Sequence, residues 1–146
     1  IKFCLKGCTP MAYQSDHVLD NMIKGLSRID MLLVLYDRAI ASLEAAKSAK
    51  ESSDQKMQQQ YGYEANKLIM GIHSGLDTEK YPVAVDVARL LHFIMNRIEQ
   101  QDFSDAIKFT KQLRESYAQI REQAVQLENN GEIPPIIQSS GVNTIA

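Results

Sequence analysis

The sequence predicts an all-α protein, an antiparallel up-down four-helix bundle with a short extra N-terminal helix, and three observations carry that expectation. Apolar residues recur at steps of three and four along four long segments, the spacing that lines one face of an α-helix. The links between those segments are short and polar, which makes successive helices run in opposite directions. No stretch alternates apolar and polar residues as a half-buried strand does. With 146 residues, 45% of them hydrophobic, and only 7 glycines and 4 prolines, the chain has enough apolar material for one domain with a real core.

The short helical pattern opens at Ser15 and places Val18, Leu19, Met22, Ile23 and Leu26 on one side, with Gly25 near its end. It leads directly into the segment around which the chain is organised, Ser27 to Ala46. Ser27 is placed to cap the first free amides, and Asp30, three residues on, matches the acidic member of a capping box and suits the positive end of the helix dipole. Leu32, Leu35, Ala39, Leu43 and Ala46 form one apolar stripe. Ile29, Leu33, Tyr36 and Ile40 form a second beside it, so this helix is apolar over more than the roughly 100° that one neighbour requires. Either the helix is central to its own bundle, or one of its faces meets another protein.

A polar turn at Glu51 to Asp54 precedes the next helix, whose stripe is Met57, Tyr61, Ala65, Leu68, Ile72 and Leu76. Gly62, Gly71 and Gly75 weaken it intrinsically, by about 1 kcal/mol each relative to alanine if interior, and raise the possibility of close backbone approach. The link from Asp77 to Tyr81 ends at Pro82, well suited to a first helical turn because its missing amide proton has no partner to lose there. The helix that follows carries Val83, Val87, Leu90, Leu91, Ile94 and Ile98. Asp102 begins the last and most regular one, with Phe103, Ala106, Leu113, Tyr117, Ile120, Ala124 and Leu127 on its apolar side and Leu113, Tyr117, Ile120 and Leu127 expected in the core. Gly131 and Pro134-Pro135 stop it. The four long helices are therefore expected near 28–50, 55–76, 82–100 and 103–129.

Composition excludes several functions. The formal net charge is -2, from 16 basic and 18 acidic side chains without a block of one sign, so phosphate-backbone binding is not expected. No apolar run reaches the 18 or so residues that cross a bilayer, and no charged-then-apolar leader opens the chain, so neither membrane insertion nor secretion is expected and the location is taken as cytoplasmic. Cys4 and Cys8 stand alone near the start and make neither a disulfide scaffold nor a zinc set. A di-iron bundle needs paired Glu-x-x-His motifs, which are absent. His17, His73 and His92 are isolated in sequence, and Met22 and Asn21 stand where a phosphotransfer histidine would precede Ile23-Lys24-Gly25. Arg89 and His92 are too close together for the RNA-cutting arrangement of HEPN domains. No phosphate loop or Ser-His-Asp order is present. Neither an enzyme nor a cofactor or metal protein is expected.

Along the central helix, Leu32-Leu33-Val34-Leu35-Tyr36-Asp37-Arg38-Ala39-Ile40 resembles the Leu-Leu-x-Met-Leu-Tyr-Asp-Gly-Ala-Ile signature of flagellar export chaperones of the FliS family. Ala12-Tyr13, Ser27 and Gly75-Leu76-Asp77-Thr78-Glu79-Lys80 match further elements of that family in the same order, and the resemblance spans roughly residues 12 to 128. Arg28, Arg38 and Tyr81-Pro82 depart from the pattern, as do Asp86, Leu91 and Phe93, so this is a divergent member. The resemblance implies a cytoplasmic, non-enzymatic chaperone that binds the C-terminal helical segment of flagellin, prevents its premature polymerisation and assists export, with export-apparatus components as further partners. The alternative is a small helical adaptor that binds a folded partner outside the flagellar system. With the surplus apolar surface, the resemblance also nominates a client groove: Ile29, Leu33, Tyr36 and Ile40, with Ile69 and Ile72, and Tyr13 on an N-terminal arm that lies over part of it. Residues 1–11 are read as a leader or cloning-derived segment, 12–130 as the helical-bundle chaperone domain and 131–146 as a flexible tail.

Overall fold

The computed structural model describes residues 26–132, and the expected short helix from Ser15, with most of the tail, lies outside them. Among the described residues there are five helices and no strand: α1 Arg28–Glu51, α2 Gln55–Ser74, α3 Pro82–Glu99, α4 Phe103–Gln119 and α5 Arg121–Asn129. By contacts the described residues fall into two units, residues 32–121 and a second that holds residues 26–31 and 122–132.

Within the larger unit the helix starts follow from the local chemistry read in the sequence. The Asp54 carboxylate accepts the Met57 amide proton at 3.1 Å and opens α2, and Asp102 does the same for the Asp105 amide at 3.2 Å to open α4. Pro82 occupies the first turn of α3. The two tightest links are closed alike: Ser53 (φ 58°) and Gln101 (φ 61°) take the left-handed conformation, and paired amide bonds reach back three and five residues, from Ser53 to Lys50 and Asp54 to Ala49, and from Gln101 to Ile98 and Asp102 to Arg97.

The core of this unit is a single cluster. Tyr36, Ala39, Leu43 and Ala46 of α1 meet Ala65, Ile69 and Ile72 of α2, Leu91, Ile94 and Ile98 of α3, and Phe103, Ala106 and Leu113 of α4. Leu32, Leu35, Tyr61, Leu68, Val87, Leu90 and Tyr117 pack around it, half-buried. Removing these side chains from water, at about 25 cal/mol per Å² of apolar surface, is the driving force for the association of the helices. Thr110 is fully buried but satisfied, its hydroxyl donating to the Ala106 carbonyl at 2.6 Å.

Charged pairs at the rim fix how neighbouring helices run. From α1 to α4, Asp37 holds the Arg114 guanidinium through two bonds (2.8 and 3.1 Å), Glu44 meets Lys111 at 3.0 Å, and the Lys50 ammonium donates to the Gln101 carbonyl at 2.8 Å. Rising numbers on one helix meet falling numbers on the other, so the two run in opposite directions. Each pair is exposed and adds little stability, but together they fix the register.

Two features depart from the expectation. The last helix is broken at Ile120, where the amide bonds to the Tyr117 carbonyl three residues back (3.2 Å) and interrupts the regular ladder. The apolar series loses its phase at that turn, so Ile120 (45% exposed) and Leu127 (38%) are on the surface rather than in the core, Tyr117 is half-buried, and α5 buries no residue at all. The α2 glycines also differ from one another. A Cβ on Gly62 would rest on the Phe103 ring at 3.6 Å, an ordinary contact, whereas one on Gly71 would meet nothing. Gly71→Ala is therefore expected to raise stability by about 0.5–1 kcal/mol, read as a higher midpoint in urea.

In the smaller unit the Ser27 hydroxyl accepts the Asp30 amide proton (3.2 Å), the helix cap the sequence indicated, while the Asp30 carboxylate accepts from the Ser27 hydroxyl (2.9 Å). The Glu128 carboxylate accepts the Arg28 amide proton at 2.9 Å. Gly131 (φ 78°) ends α5, as expected.

Candidate partner-binding site

The residues nominated from sequence are mostly inside the free chain. Tyr36 and Ile69 are completely buried, Ile72 is 4% exposed, and all three belong to the core cluster. Ile29 and Leu33 are buried and Ile40 is half-buried; Tyr13 lies outside the described residues. Both stripes of α1 are thus largely covered, because a central helix with neighbours on two sides needs apolar surface on two sides.

Tyr36 has a particular environment. Its ring stacks on Tyr117, with centroids 5.7 Å apart and planes at 26°, and its hydroxyl is buried without a hydrogen-bond partner. Burial, and secondarily the nearby Tyr117 phenol, raises its pKa above the usual tyrosine value. Burial likewise raises that of Tyr117.

Besides Ile120 and Leu127, the large apolar side chains that remain exposed among the described residues are on α2, α3 and the link between them: Tyr63, Met70, Tyr81, Val83 and Phe93. Gln59, Tyr63, Asn66, Met70 and His73 follow one another on α2 at steps of four and three, so they form one line along the helix. Tyr63 is 61% exposed and Met70 54%. Two concavities open along this line. One is bounded by Gln58, Gln59, Gly62, Tyr63 and Asn66 of α2 with Ile98, Glu99 and Phe103 opposite. The other is bounded by His73, Thr78, Val85, Ala88, Arg89 and His92. The first joins the beginning of α2 to the end of α3, and the second joins the end of α2 to the beginning of α3, so the two helices run in opposite directions. In the first concavity the Asn66 Oδ1 is buried without a hydrogen-bond partner. In the second the His73 and His92 rings lie 5.4 Å apart, tilted by 57°.

That pair corrects the reading of these histidines as isolated. They are 19 positions apart in sequence, His73 at the end of α2 and His92 midway along α3, and the return of the chain through the link between the two helices brings them together. A further exposed aromatic, Phe93, packs edge-on against Phe109 at 5.2 Å with the Arg97 guanidinium 5.1 Å from its ring centre. Among the described residues no group of three or more His, Cys, Asp or Glu side chains assembles a metal site, and no helix is long and apolar enough to cross a membrane.

The described residues thus form a helical core with Tyr63 and Met70 exposed on α2 and two concavities between α2 and α3. A family model described as "Flagellar protein FliS" matches residues 10–129, and the chain belongs to that family. No curated protein matches the chain. Members of the FliS family are cytoplasmic, non-enzymatic export chaperones that bind flagellin.

Proposed function

We propose that this chain holds the C-terminal helical segment of flagellin, keeps it from polymerising and presents the subunit to the export apparatus. The observation that carries this reading is the exposure of Tyr63 and Met70 in line with two concavities on α2 and α3. An amphipathic segment laid there buries apolar area on both partners, and the ordering of a disordered client offsets part of that gain.

In this reading the helices form an antiparallel up-down four-helix bundle preceded by a short N-terminal helix, within a chaperone domain of residues 12–130 between a leader and a tail. The pairings of Asp37 with Arg114 and of His73 with His92 support the alternating directions. The stripe nominated from sequence acts as the inner wall: Tyr36, Ile69 and Ile72 fix the spacing of α1 and α2 with Leu33 buried beside them, and the half-buried Ile40 is the member a client reaches at the wall's edge. Tyr13 serves as a cover that the client displaces. Deleting residues 1–15 is accordingly expected to leave cooperative melting intact and to change the affinity for a flagellin C-terminal peptide; loss of cooperative melting would instead assign that segment to the core.

Isothermal titration of the full chain with that peptide tests the function. Saturable binding supports it, whereas a chain that ignores the peptide but captures a folded partner would be the adaptor of the alternative reading.

A further inference from the structure

The two imidazoles at the far end of α2 have no polar partner within the protein. His73 and His92 line one concavity, with ring centres 5.4 Å apart and planes tilted by 57°, and neither ring makes a hydrogen bond or an ion pair with a described residue. His73 is half-buried and His92 exposed, so both nitrogens of each ring are not hidden from solvent. Their backbones are held in place. Leu91 and Ile94, on either side of His92, are fully buried, and Ile72 before His73 is 4% exposed, so core packing sets the rotation of both helices. The Leu76 amide bonds to the His73 carbonyl at 3.2 Å and closes the end of α2.

We propose that His73 and His92 together chelate one divalent late transition ion of the zinc type, each through one ring nitrogen. Neutral imidazole is a ligand suited to such ions. With each nitrogen about 2.0–2.1 Å from the ion and each ring extending directly away from it, two imidazoles on one tetrahedral ion hold their ring centres about 5 Å apart. The observed 5.4 Å needs only a small adjustment of side-chain torsions. The 57° tilt lets the two ring planes intersect, as lone pairs lying in those planes must in order to meet at one ion. Water completes the shell from the open side of the concavity, and the ion ties the end of α2 to the middle of α3. Arg89 shares the same wall, but its guanidinium meets Asp86 at 3.8 Å, further along α3 from His92, and both side chains are more than three-quarters exposed. Its charge is therefore partly offset and screened by water.

Flagellin plays no part in this inference, and its test needs none. The full chain carrying Cys4→Ser and Cys8→Ser, which removes the thiols that compete for zinc, is titrated with zinc chloride by calorimetry while the imidazole signals are followed by NMR. The ring signals of His73 and His92 are expected to move together as one ion binds, and the melting midpoint to rise with ion concentration. His73→Gln and His92→Gln are each expected to weaken binding tenfold or more, and their combination little further, because loss of either ring ends chelation. Both variants are expected to melt as the parent does without the ion; if either fails to fold, the ring signals of the parent decide the matter. Arg89→Gln is expected not to weaken binding, since it removes a like charge, and a loss there would mark an anion in place of a metal ion and overturn the proposal. Movement of neither ring, movement of one alone, or binding that survives both histidine substitutions would equally overturn it and leave the two rings as a packing contact.

Discussion

Ile69→Ala is expected to lower the free energy of unfolding by about 2–5 kcal/mol, because Ile69 is wholly enclosed by the core cluster and its loss leaves a cavity that four packed helices cannot close. Leu113→Ala, at the α4 edge of the same cluster, is expected to fall in the same range. Urea unfolding with tryptophan-free detection, such as far-ultraviolet circular dichroism, measures both, since the chain has no tryptophan. A change below about 1 kcal/mol at Ile69 would mean that α2 does not present this face to the core. By contrast, Leu127→Ala is expected to cost little, for that side chain lies on the surface of a helix that buries nothing.

The second large effect concerns binding rather than folding. Met70 is more than half exposed on the outer line of α2, so Met70→Asp is expected to leave the thermal melt close to that of the parent. In the complex the same carboxylate would be desolvated beneath an apolar client face, and affinity for the flagellin peptide is expected to fall by about ten- to a hundredfold, equivalent to about 1–3 kcal/mol. Titration calorimetry beside the melt distinguishes the outcomes. A folded variant that binds as tightly as the parent removes the outer α2 line from the client surface.

The difference between these two predictions marks how far the sequence was legible. Local signals worked wherever one or two residues decide the backbone: the Ser27–Asp30 cap, Asp102 as a helix start, Pro82 in a first turn and Gly131 as a stop were all readable, and all are present. The break at Ile120 was not readable, because neither glycine nor proline marks it and the apolar steps run through it. Most difficult was the choice of face. A helix apolar on two sides states that both must be covered but not by what, and both stripes of α1 turned out to be largely covered within the free chain. The partner-facing candidates, Tyr63, Asn66 and Met70, escaped attention because their line mixes apolar with polar residues and has no amphipathic contrast. The approach of His73 to His92 required the register of α2 against α3, which follows from the length of the link between them rather than from any spacing motif.

The most direct test of the account is calorimetric titration of the full chain with a peptide of the flagellin C-terminal segment, repeated at several temperatures and followed by circular dichroism. The account predicts one peptide per chain, a negative heat-capacity change from apolar burial, and more helical signal in the mixture than in the separate components. Absence of saturable binding, or binding without a heat-capacity change or gain of helix, would contradict it.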